Sequence, residues 1–152
     1  MIRDRLGEAL KASMKAKKPK AVSTLRLILA ALKDRDIAAR PKGNLDGISE
    51  DEILGMLQSM IKQRRESISL YEKGGRLELA EGEAAEIATI EEFLPEQMGE
   101  EEMFDTITSL IVEIEAQNLK DMGRTMAALK ERFAGRMDFA KASQIVKGQL
   151  GN

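Results

Sequence analysis

The sequence contains no cysteine and no histidine. Without cysteine there is no disulfide framework and no thiolate chemistry. Without histidine the commonest general base at neutral pH is missing. The two absences together remove the usual zinc, haem and iron–sulfur ligands. No catalytic residue, cofactor or metal is therefore expected. Aromatic residues are also scarce, with no Trp, one Tyr and four Phe. Stacking of bases on aromatic rings is then not a mode by which this chain would hold nucleic acid. No apolar run approaches the roughly 18–20 residues of a membrane span. The start, Met1-Ile-Arg-Asp-Arg-Leu-Gly-Glu8, is charged from Arg3 onward and lacks the apolar stretch of a secretory signal. These absences predict a cytoplasmic protein with no membrane partner.

What is present favours helix. The 152 residues are 43% hydrophobic and 33% charged, rich in Ala, Leu, Ile, Met, Glu and Lys. No strand pattern occurs, and the fold class expected is all-α. Helical periodicity runs over residues 2–16 (Ile2, Leu6, Ala9, Leu10, Met14) and 21–40 (Val22, Leu25, Ile28, Leu29, Leu32, Ile37). The stretch Leu25–Leu32 is apolar nearly all round and predicts a well-covered central helix. Pro19 and Pro41 punctuate these two helices. Ser49-Glu-Asp-Glu52 is a capping box, opening a long helix to about residue 73. Gly74-Gly75 breaks it. An acidic helix from Leu77 to Phe93 follows, with Ala80, Ala84, Ile87 and Ile90 in period, and Leu94-Pro95 stops it.

After Pro95 the pattern restarts. An acidic first turn at residues 100–102 opens a helix with Met103, Phe104, Ile107, Leu110, Ile111 and Ile114 inward. Asp121 is expected to cap the next helix (Met122, Met126, Leu129 and Phe133 inward), which Gly135 ends. Asp138 is expected to cap the last, with Phe139, Ala142, Ile145, Val146 and Leu150 inward. The organisation predicted is a four-helix N-terminal domain over residues 1–94 and a three-helix C-terminal domain over residues 95–152.

The overall charge of −2 is unevenly spread. Residues 1–48 carry +7, residues 49–115 carry −13 and residues 116–152 carry +4. Basic ends could receive a polyanion, or could be neutralised by the acidic middle on folding. The glutamates of residues 78–92 fall mostly on a polar face, and a carboxylate di-metal site would want inward Glu-x-x-His pairs. Lys73-Gly-Gly-Arg76 is too short to cradle phosphates. Basic clusters are the stronger lead. Lys62, Arg64 and Arg65 lie on the long helix, with Arg76 just past its end. Arg124, Lys130, Arg132, Arg136, Lys141 and Lys147 decorate the C-terminal domain. Together with Arg76, these six are the candidate nucleic-acid-binding residues, acting through phosphate contacts and reading shape and backbone.

The string Ser67-Ile-Ser-Leu-Tyr-Glu-Lys-Gly-Gly-Arg76, then Leu79-Ala80, Glu83, Glu86-Ile87 and Phe93-Leu-Pro-Glu-Gln97, resembles the YqeY family. So does Thr24-Leu-Arg-Leu-Ile-Leu-Ala-Ala-Leu-Lys33. The stretch Asp121-Met-Gly-Arg-Thr-Met-Ala-Ala-Leu-Lys130, with Gly135-Arg136, Asp138 and Val146, resembles the tail domain of GatB, a component of the tRNA-dependent amidotransferase. The resemblance implies an all-helical protein with a larger first domain and a small second one. It implies tRNA, or a component of tRNA amidation or aminoacyl-tRNA synthesis, as partner. Carried over by position, Gly123-Arg124, Lys130, Gly135-Arg136 and Lys141 are the tail-like contacts. The kinase and transamidase centre of GatB lies in a domain this chain lacks. Carbon–nitrogen ligase activity with glutamine as amido donor is therefore expected only as part of a larger complex. The function expected is that of a non-catalytic tRNA-binding or amidotransferase-associated protein, the alternative being a protein-interaction adaptor that binds no RNA.

Overall fold

The computed structural model describes residues 1–151. The chain is all-α: α1 (Ile2–Lys15), α2 (Pro19–Ala39), α3 (Glu50–Lys73), α4 (Leu77–Glu91), α5 (Glu100–Glu113), α6 (Met122–Arg132) and α7 (Phe139–Leu150). Short 3₁₀ turns follow α2 (Arg40–Lys42) and precede α6 (Leu119–Asp121). The chain divides into two compact units, Met1–Leu94 and a second from Pro95 onward. No helix among the described residues is long and apolar enough to cross a membrane.

Local chemistry sets several helix ends. Ser49 Oγ accepts from the Glu52 amide at 3.2 Å, and the Glu52 carboxylate accepts from the Ser49 amide at 3.2 Å. Both halves of the capping box are thus made. Pro19 occupies the first turn of α2, where its missing N–H leaves nothing unsatisfied. Gly75 takes φ +72° beyond α3. The Arg76 amide then reaches back to the Tyr71 carbonyl at 2.8 Å and the Gly75 amide to Glu72 at 3.1 Å, the paired bonds of a Schellman ending. Asp138 Oδ1 caps α7 by accepting from the Ala140 and Lys141 amides. Asp121 behaves differently from expectation. It stands before α6 but makes no side-chain cap there. Its carboxylate turns back to accept from the Gln117 amide at 2.7 Å.

In the first unit α3 and α4 pack along each other, α1 packs on α2, and α2 also meets α4. The core includes Ile2, Leu6, Leu25, Ile28, Leu32, Ile53, Met56, Leu57, Ile61, Ile87, Ile90 and Phe93. Arg64 Nε meets Glu86 Oε2 at 2.8 Å, tying α3 to α4. The second unit has its own core of Met103, Ile107, Leu110, Leu129, Met137, Ala142, Val146 and Leu150.

Four apolar positions expected inward are not covered. Met14, Ile37 and Phe104 are exposed, and so is Ala84. Leu27 also faces out, so α2 is not the all-round buried helix that its apolar run suggests. Periodicity fixes which residues share a face, but only a neighbouring element can cover it. Conversely, Thr125 is fully buried in α6, its hydroxyl donating to the Asp121 carbonyl at 2.8 Å. That bond satisfies a polar group at a core-facing position.

Candidate nucleic-acid interface

The six C-terminal candidates differ sharply in what they touch. Arg124 is committed to the fold. Its Nη1 donates to the Ile114 carbonyl at 2.7 Å, its Nη2 to the Glu115 carbonyl at 3.3 Å and its Nε to Asp121 Oδ1 at 3.2 Å. These carbonyls end α5, where a cation offsets the helix dipole and fills orphan acceptors. Asp121, in the same cluster, has its carboxyl held below the usual range, first by the Gln117 amide and then also by Arg124.

Arg136 closes a second junction. Its Nε donates to the Glu96 carbonyl at 3.2 Å, and its Nη2 reaches Glu102 at 3.4 Å. Its own carbonyl accepts from the Met98 amide at 2.8 Å. Beside it, Gln97 Nε2 donates to the Gly135 carbonyl and to the Pro95 carbonyl. The Pro95-Glu-Gln97 and Gly135-Arg136 pieces, far apart in sequence, therefore form one joint. Gly135 sits there at φ +78°, a conformation that disfavours any residue with a Cβ.

Arg132 pairs with Glu113, and Lys141 with Glu100 at 3.2 Å. Both pairs are exposed, so each contributes about 1 kcal/mol or less. Lys130 and Lys147 are exposed and form no ion pair among the described residues. Arg76, in the first unit, bonds Glu78 through Nε at 2.9 Å, and that bond lowers the Glu78 carboxyl pKa.

These cations do not make one stripe. Lys130 and Arg132 are two residues apart on α6, about 200° around the axis. They flank its buried edge at Thr125 and Leu129 from opposite sides. The second unit as a whole carries seven basic and ten acidic residues, a net −3. Among the described residues no group of acidic side chains is arranged to hold a metal ion, and no buried side-chain nitrogen or oxygen is left without a partner. The basic patch of α3 is largely occupied: Arg64 meets Glu86 and Arg65 meets Glu91 at 3.7 Å. The larger surplus of positive charge lies on α1, α2 and the turns that follow them, outside the candidate set. Its signal in the sequence is the +7 of residues 1–48.

Comparison with known proteins finds relatives of this sequence. A family model described as Yqey-like protein matches residues 3–150. An uncharacterized protein of Schizosaccharomyces pombe is 33% identical over 85 residues, covering 55% of this chain and 64% of that protein. The mitochondrial protein "altered inheritance of mitochondria protein 41" of Lachancea thermotolerans is 29% identical over 115 residues, covering 74% of this chain and 59% of its own length. The chain thus spans less than two thirds of either of these relatives.

Proposed function

The chain belongs to the YqeY-like family, and on that premise we propose that it acts by binding rather than by catalysis, as an accessory protein for structured RNA of the transfer-RNA class. The observation that carries the reading is the exposed pair Lys130 and Lys147 in the second unit, neither of them in an ion pair among the described residues. The same unit also carries Arg132, Arg136 and Lys141, whose carboxylate partners are exposed. Such pairs are weak enough for a phosphate to replace the carboxylate. Arg124 contributes by fixing the end of α5 rather than by contacting phosphate. With no aromatic platform, contact is to phosphate and sugar and recognition is by shape.

The net charge of −3 on this unit works against a distant polyanion, so affinity in this reading is modest and strongly salt-dependent. Amide transfer from glutamine belongs to a larger tRNA-amidation or aminoacyl-tRNA complex, with this chain as a component. A cytoplasmic site of action is part of the proposal, although one relative is named as mitochondrial. The test is binding of bulk tRNA by the purified protein, and its weakening when Lys130 and Lys147 are neutralised.

A further inference from the structure

The turn between α1 and α2 carries an open groove of about 810 Å³. Met14, Val22 and Leu27 give it an apolar floor, and Lys17, Lys18 and Arg26 give it a cationic rim. Met14 and Leu27 are about half exposed, at 50% and 47%. Among the described residues none of Lys15, Lys17, Lys18, Lys20 and Arg26 forms an ion pair, whereas the arginines of α3 facing α4 do. Lys17 adds an independent sign. It sits at φ +55°, closing α1 through a bond from the Lys18 amide to the Ser13 carbonyl at 3.0 Å. The equivalent position after α3 is Gly75. Glycine would take this conformation without strain; here the position carries a lysine, on the rim.

We propose that this groove docks an acidic amphipathic helix of a partner protein. The apolar floor takes leucine-sized anchors spaced at helical period, and the rim meets carboxylates on the flanks of the same helix. RNA fits poorly, because a floor of Met, Val and Leu offers neither stacking nor hydrogen bonds to a base. A bilayer fits less well, because the apolar lining is a few partly exposed side chains rather than a long apolar helix face. The inference is independent of the RNA reading, which rests on the second unit.

The experiment uses the full chain and a labelled synthetic helical peptide of about five turns, with Leu on one face and Glu on the others. Controls are the same peptide with Lys for Glu, and a polyglutamate of equal length. Fluorescence anisotropy is expected to show binding of the Leu/Glu peptide alone. Leu27→Gln and Arg26→Gln should each weaken it about ten-fold. Lys17→Gly should weaken it while leaving the fold as stable or more so, which separates docking from folding. Leu27→Gln should leave tRNA affinity unchanged. Equal binding of polyglutamate, indifference to Leu27→Gln, or no binding of the Leu/Glu peptide overturns the proposal. So does self-association of the chain abolished by Leu27→Gln, which would make the occupant a second copy.

Discussion

Arg3 and Asp36 meet fork to carboxylate, Nη1 to Oδ2 at 2.6 Å and Nη2 to Oδ1 at 2.7 Å. The pair joins the start of α1 to the end of α2 and reaches into the loop before α3. Asp36 also accepts from the Ile48 amide at 2.9 Å, and Arg3 donates to the Ile48 carbonyl at 3.0 Å. Charge-assisted, two-pronged contacts of this kind are stronger and more directional than simple ion pairs. Asp36→Ala leaves both the Arg3 guanidinium and the Ile48 amide short of a partner. The expected loss is roughly 1–3 kcal/mol in urea unfolding. A change below a few tenths of a kcal/mol would show that the contact contributes nothing to the fold.

Gly47 is what lets that contact form. It sits at φ +92°, and a Cβ there would lie 2.5 Å from Asp36 Oδ1 and 2.6 Å from Arg3 Nη2. Gly47→Ala must therefore both adopt a disfavoured backbone and push the pair apart. A loss of roughly 2–3 kcal/mol is expected, read as a lowered thermal midpoint. Combining it with Asp36→Ala should give less than the sum, because the two changes damage one contact.

The same carboxyl sets a pH dependence. Asp36 is lowered to about 2, first by its hydrogen bond from Arg3 and, despite some opposing desolvation, also by the Ile48 amide. Its unfolded value is about 3.9. Between the two values the unfolded chain binds more protons, so stability falls as pH falls. The contribution is fully present above about pH 4–5 and is lost as pH drops through 2. The difference in unfolding free energy between the wild type and Asp36→Asn should shrink over that window. A difference that stays constant from about pH 6 down to about pH 2.5 would contradict the assignment.

Arg124 offers a sharp separation between fold and ligand. Its contacts with the carbonyls of Ile114 and Glu115 predict that Arg124→Ala destabilises the second unit by about 1 kcal/mol. Arg124→Lys should recover only part, since one ammonium cannot reproduce the fork. Lys130→Ala, at an exposed site with no ion pair among the described residues, should change stability by less than about 0.5 kcal/mol. Chemical denaturation of the three variants decides this; equal loss at both positions would mean the Arg124 cluster does not hold α5.

The parts of this protein legible from sequence are those decided within one helical turn. Ser49 with Glu52, Gly75 after α3 and Asp138 before α7 all act on neighbours two to five residues away, and their residue types specify the bonds. Asp121 does not cap α6 because Gln117 and Asn118 offer amides on its other side. Positions decided by distant elements are harder to read. The Gln97 and Gly135 joint spans 38 residues, and nothing local in either piece names the other. Leu27 and Phe104 lie on apolar stretches of α2 and α5, yet both stay about half exposed. The candidate cations are visible in the sequence as basic residues. Charge alone does not tell Arg124, bound to the fold, from Lys130 and Lys147, which form no ion pair among the described residues.

The most direct test is a titration of the purified full chain against bulk tRNA at about 50 and 200 mM salt, alongside the Lys130→Gln/Lys147→Gln double variant. The account predicts micromolar or tighter binding at the lower salt, and a steep loss at the higher. About five phosphate contacts, one for each of Lys130, Arg132, Arg136, Lys141 and Lys147, would cost on the order of several hundred-fold over that range, and each removed lysine should lower the salt slope by about one. No binding at low salt, or binding unaffected by the double substitution, would contradict it.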